Sequence, residues 1–286
     1  MNAQPALPSQ FTWQPLPARR SKLLVLLAFA AIWQLTPASA ETIPVRQLEG
    51  SIHAFLLLQT LDGKTIAEGD LIEIAKAASV KIQTSYRFHD GSFFEETSEF
   101  SQRGQFRLLS NHLIQKGPSF KQNMERSIDA ATGQVTVRYS DSNGKDKTES
   151  EHLDLPDDLA NGLFLVLMKN IDPASEQTTV SVVAGEPKPR LVKVIITPEG
   201  KTTFLVGRSK REGIEYDLKP KIEGAAGVVA PLVGRQPADA HIWVFTGSGP
   251  VVLKSEGSLE SNGPIWRIQN VGAAWPPDAA QNESKK

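Results

Sequence analysis

The side chains best suited to proton transfer or metal binding near neutral pH are the five histidines, His53, His89, His112, His152 and His241. No two of them stand at i,i+2 or i,i+4, the spacings that aim two rings at one ion from one strand or helix. The chain has no cysteine, so a zinc site would need carboxylates gathered from distant segments. No metal and no cofactor are therefore expected. His89 stands directly before Asp90-Gly91 and reads as the wet flank of a hairpin turn.

Nucleophilic chemistry fares no better. Gly247-Ser248-Gly249 lies in a loop and lacks the strand–elbow–helix setting that a G-x-S-x-G serine requires. Glu95-Glu96 and Glu149/Glu151 are carboxylates on β-type segments. Consecutive strand residues face opposite sides, so at most one of an adjacent pair can enter a pocket. Two separated carboxylates can serve a glycosidase, but nothing marks these. With no phosphate-cradling glycine loop either, an enzyme is not expected. The aromatics Phe88, Phe93, Phe94, Phe100, Phe106, Phe120, Tyr139, Trp243 and Trp266 are spread over the strand-like segments. They suit a packed core, or an interior that holds an apolar ligand.

The elements that must position these residues are mostly strands. Ile52 to Leu58 is strongly apolar, and Leu71 to Ala78 fits either a strand or a short helix. Glu68-Gly69-Asp70 between them carries a turn signal. Val80, Ile82, Thr84, Tyr86 and Phe88 alternate with polar residues at period two. Turn signals at Asp90-Gly91, Arg103-Gly104, Lys116-Gly117-Pro118, Thr132-Gly133 and Ser142-Asn143-Gly144 then divide an antiparallel meander that ends near Leu153. A second meander runs through Thr178–Val183, Leu191–Ile196, Thr203–Val206, Ile214–Leu218, His241–Phe245 and Val251–Lys254. Its turns are expected at Glu199-Gly200 and Arg211-Glu212-Gly213, and Gly263-Pro264-Ile265-Trp266-Arg267-Ile268 closes the fold.

Between the meanders the pattern predicts one helix, about 156–171. Pro156 suits its first position, Asp157 and Asp158 suit the positive end of its dipole, and Asp172-Pro173 ends it. Ala160, Phe164, Met168 and Ile171 form one apolar stripe, and Leu159, Leu163, Val166 and Leu167 form another. A helix lying on one sheet needs an apolar arc of only about 100°. The excess implies cover on two sides, by a curved sheet and by further protein or an apolar ligand. Gly162 reads as a tolerated glycine or as a close approach to a strand. The glycine-rich apolar stretch 222–234 reads as a buried plug, a mobile lid or a membrane-touching loop.

Residues 1–40 look like a secretory signal. Arg19, Arg20 and Lys22 precede ten apolar residues, Leu23 to Ile32, and Pro37-Ala38-Ser39-Ala40 offers a cleavage site after Ala40. Ser21-Lys22-Leu23 fits the twin-arginine motif poorly, so the general secretory route is expected, with a periplasmic or secreted product. Even extended to Leu35 the apolar run falls short of the roughly 20 residues that cross a bilayer, and no stable transmembrane segment is expected after cleavage. Removing the three basic residues from totals of 31 Lys+Arg and 32 Asp+Glu leaves a net charge of −4. That balance disfavours nucleic acid and a generic anionic membrane surface as partners. Without cysteine there is neither a disulfide framework nor a lipidated N-terminal cysteine. Residues 41–275 are read as a single β-rich domain and 276–286 as a disordered tail.

This combination, an exported meander with D-G turns, a mid-chain L-P-D-D-L-A-N-G-L segment, a further meander and a closing G-P-I-W-R-I, resembles exported bacterial proteins of unknown function. In shape they relate to the LolA/LolB-type periplasmic half-barrel lipoprotein carriers. The resemblance implies one curved sheet around helical structure, with acyl chains held between. The expected fold is thus mainly β: a strongly curved antiparallel sheet or open barrel with one central helix in its concavity. The leading functional expectation is non-enzymatic binding of a hydrophobic ligand, a lipid or acyl chain, with Leu163, Phe164, Leu167 and Met168 as the helix side of the pocket. The alternative is an interaction module of envelope assembly with a filled core and an envelope protein as partner. A third, an unrecognised hydrolase, requires titratable groups converging in a cleft.

Overall fold

The structure is a computed structural model and describes residues 42–274, apart from 142, 186, 207–208, 222–236 and 248. The signal-like segment, the tail and the whole glycine-rich stretch 222–234 lie outside the described residues.

Fourteen antiparallel strands form one sheet. The first eight are a meander: β1 (Ile52–Gln59), β2 (Thr65–Lys76), β3 (Ser79–Phe88), β4 (Phe93–Arg103), β5 (Gln105–Lys116), β6 (Met124–Asp129), β7 (Gln134–Ser140) and β8 (Asp146–His152). The rest are β9 (Thr178–Ala184), β10 (Arg190–Val206), β11 (Ser209–Lys221), β12 (Ala240–Phe245), β13 (Val251–Gly257) and β14 (Trp266–Ala274). The two meanders join where β14 pairs with β1, and β8 and β9 are the free edges, so the sheet is not closed. It is nevertheless strongly curved. Arg126 Nη1 of β6 reaches the Val183 carbonyl of β9 at 3.1 Å, although ten strands separate β6 from β9 in the sheet order. The Trp266 ring of β14 likewise meets Phe88 of β3 at 5.4 Å.

Period-two alternation accounts for most of the strands. Along β3, Val80, Ile82, Tyr86 and Phe88 are buried while Lys81 and Arg87 are exposed. Three expected turns are instead strand interior. Glu68-Gly69-Asp70 lies within β2, where Gly69 faces Tyr86: a side chain there would meet the Ser85 carbonyl at 2.1 Å and the Tyr86 ring at 2.6 Å. The glycine is a seat for a cross-strand aromatic, not a turn. Glu199-Gly200 is a register shift inside one long β10, and Arg211–Gly213 pairs within β11. The ambiguous Leu71–Ala78 resolves mainly as strand.

The expected helix over 156–171 is not formed. Only Phe164–Leu167 (α1) makes an α-helical turn, flanked by i→i+3 turns such as Leu163 N–H to Ala160 O at 2.9 Å and Asn170 N–H to Leu167 O at 2.8 Å. The local cause is competition for the backbone. The Ala160 N–H donates to Ser181 O at 2.8 Å, and Ser181 N–H to Asp158 O at 3.2 Å, so this stretch runs as a short parallel bridge along the β9 edge. Asn161 extends it with its side chain, accepting from Val183 N–H and donating to Val183 O. Gly162 then takes φ +69°, the left-handed region that ends helices. The two acidic residues assigned to the helix dipole serve other partners, Asp157 pairing with Arg107 and buried Asp158 with Lys193. What the concavity holds is an irregular plug, residues 155–172. Most of its apolar residues are covered: Leu159, Ala160, Leu163, Val166, Leu167, Met168 and Ile171 are buried, while Leu155, Phe164 and Leu165 are half-buried.

Candidate functional site: a cavity beside the plug

The four residues expected to face a ligand are divided by the structure. Leu163, Leu167 and Met168 are 1%, 4% and 1% exposed and form part of the core; Phe164 is half-buried against it. Leu167 borders only a hole of about 10 Å³, with Ile43, Phe106 and Val180. On this side the plug is clamped by polar contacts. Ser98 of β4 donates to Asn161 O at 3.2 Å, Asn111 of β5 donates to Ser98 and Glu96, and Arg126 lies 3.9 Å from Glu96. Gly162 permits the approach, since a Cβ there would stand 2.1 Å from Ser98 Oγ.

The opposite side of the plug is looser. Here Leu165 and Lys169 border a cavity of about 40 Å³. Ile52, Leu56 and Leu71 wall it from β1 and β2, and Val252, Leu253 and Ile268 from β13 and β14. Every residue of β13 is half-exposed, on both faces.

One wall of this cavity carries charge. Lys169 Nζ pairs with Glu49 at 2.5 Å and lies 4.0 Å from Glu73, and all three side chains are at most 12% exposed. Glu49 is set by Gln102, whose amide accepts from the Glu49 N–H at 2.8 Å and donates to its carbonyl at 3.2 Å. Glu73 comes from β2, on the same strand face as buried Ala67 and Leu71. Both its carboxyl oxygens are buried with no hydrogen-bond partner among the described residues. Burial pushes its pKa up to about 8; Lys169 opposes the rise and the neighbouring Glu49 adds to it. At neutral pH this carboxyl is mostly protonated, so it is a hydrogen-bond donor as well as an acceptor.

Sequence reasoning missed this group. The available signal was a glutamate on the apolar parity of a strand, Ala67, Gly69, Leu71, Glu73. That parity cannot be read while the segment fits a helix equally well. The histidines do not converge. His53 meets Asp70 at 2.7 Å, His89 meets Glu68 at 3.0 Å, His112 meets Glu125 at 2.9 Å, and His241 lies 3.7 Å from Glu215. These are separate cross-strand pairs, and His152 stands at the end of edge strand β8. Among the described residues no three His, Asp or Glu side chains are grouped to hold a metal ion, and no helix is long and apolar enough to cross a membrane.

No protein-family model matches the chain, and comparison with curated proteins finds no match either.

Proposed function

We propose that this chain is a non-enzymatic protein of the bacterial cell envelope, exported by a cleaved signal, that binds a hydrophobic ligand such as a lipid or acyl chain. The binding place is the gap between the plug and β13–β14, not the Leu163–Met168 face. The observation that carries this reading is the cavity walled by Leu165, Val252, Leu253 and Ile268, on a sheet face whose residues stay half-exposed. Its size bounds the claim. A site of 40 Å³ has room for a few waters or one end group, since a single water needs about 10–15 Å³. A longer chain must continue along the half-exposed apolar residues of β13 and β14.

The test is extraction of protein purified natively from envelope fractions. Mass spectrometry is expected to find lipid in the wild type and much less in Leu253→Arg, which puts a charge at the cavity wall. Equal, background lipid in both overturns the reading.

The second reading, an interaction module, has its own observation. Phe55 of β1, Ile74 of β2 and Val271 of β14 are 51%, 46% and 54% exposed on the outer face of neighbouring strands. It predicts that Phe55→Asp abolishes a specific crosslinked envelope partner while lipid content stays unchanged.

A further inference from the structure

The cavity has a polar end, and its chemistry constrains what can enter. We infer that it receives an uncharged polar head, an ester or amide carbonyl, of an otherwise apolar ligand, and that the Glu73 carboxyl is its hydrogen-bonding partner. This rests on the hydrophobic-ligand reading above and deepens it.

Three observations converge. First, Glu73 borders the cavity with two oxygens that no described group satisfies, its side chain being 1% exposed. A buried carboxyl is costly until it is hydrogen-bonded; Glu49 and Lys169 stand beside it, and the cavity it borders leaves room for a further partner. Second, the cations bordering the cavity are already spoken for. Lys169 is held by Glu49 at 2.5 Å, and Lys254 lies 3.3 Å from Glu256 and 3.7 Å from the centre of the Trp243 ring. A ligand carboxylate would find both bordering cations already paired and would be buried without a countercharge of its own. A ligand ammonium would enter beside Lys169. Third, the remaining lining is mostly apolar, with Ile52, Leu56, Leu71, Leu165 and Ile268 among it, and its other polar side chains, Ser255 and Asn270, are uncharged and offer an ion no countercharge. The raised affinity of Glu73 for its proton agrees with this arrangement, because it keeps an O–H available to a carbonyl at neutral pH.

The experiment compares four radiolabelled probes of one chain length on the full mature protein at pH 7: hexadecane, methyl hexadecanoate, hexadecanoate and hexadecylamine. The ester is expected to bind at least tenfold tighter than the acid and the amine. Glu73→Leu is expected to bring the ester down to the level of hexadecane, while Glu73→Gln, which keeps an N–H donor, retains the preference. The wild-type ester affinity should fall as pH rises through about 8 and stay flat in Glu73→Gln. The other charged groups beside Glu73 or bordering the cavity are Glu49 from the segment before β1, Lys169 from the plug and Lys254 from β13, and all three are common to both proteins. Equal or tighter binding of hexadecanoate or hexadecylamine overturns the inference, as does an ester preference that survives in Glu73→Leu. If none of the four probes binds, the hydrophobic-ligand reading itself falls. Binding of hexadecane with no head-group preference sinks only the role of Glu73.

Discussion

The two sides of the plug are built differently. Towards β4–β6 and β9 it is sealed: Leu163 and Met168 are 1% exposed, Ser98 bonds the Asn161 carbonyl, and the Ala160 N–H and the Asn161 side chain bond β9. Towards β13 and β14 it borders a cavity with half-exposed apolar walls, and beside that cavity it is held to the segment before β1 by the buried Lys169–Glu49 pair, by Asn170 accepting from the Arg46 and Gln47 N–H groups, and by Arg46–Asp172. Apolar packing is cheap to keep dry and hard to open, whereas a buried charge pair is strong only while both partners are present. The comparison assigns the sealed side to stability and the loose side to exchange with something outside the fold.

Substitutions can break that comparison. The largest loss is expected from Lys169→Met, which leaves Glu49 buried and unpaired: about 3–5 kcal/mol in urea unfolding at pH 7. A loss under 1 kcal/mol would show the pair to be wet and the loose side to be held by something else. Next is Glu73→Gln, whose effect depends on pH. Because the folded-state pKa of Glu73 is raised, its contribution is fully present below the ordinary carboxyl value and is lost as pH climbs to about 8. The variant should therefore match the wild type near pH 4 and exceed it at pH 9, by on the order of 3–4 kcal/mol. A difference that shrinks with rising pH contradicts the raised pKa. Third, Leu163→Ala in the sealed half should cost about 3 kcal/mol, measured by the same unfolding curves. Gly162→Ala should cost about 2 kcal/mol through its positive φ and the Ser98 contact, and the deficit should shrink when Ser98→Gly is added. The smallest effect is Val252→Ala on β13, below about 1 kcal/mol, because this residue is half-exposed already. If Leu163→Ala and Val252→Ala cost the same, the two sides are not distinct.

The comparison also sharpens the treatment of the glycines. Gly162 and Gly69 are both places where a side chain has no room, one against Ser98 Oγ and one under the Tyr86 ring. As sequence signals they mean opposite things, since the first breaks a helix and the second continues a strand. The difference lies in the partner across the gap, which is far away in sequence.

What the sequence alone determined is part of the short-range order. Alternation at period two and paired turn residues specify β3 and the hairpin at Asp90-Gly91, because side-chain direction along a strand and backbone geometry at a turn are local properties. Tertiary structure decided the rest. Asp158 and Asn161 meet the unpaired edge of β9, a partner outside any sequence window, and a backbone bonded to that edge cannot also make a helix. The candidate site depends on the same long-range geometry. Glu49, Glu73 and Lys169 are 24 and 96 residues apart along the chain, and only curvature of the sheet around the plug brings a segment before β1, a strand and a helical turn to one cavity wall. Burial, which turns an ordinary glutamate into a protonated hydrogen-bond donor, is a property of that assembled wall and not of the residues themselves.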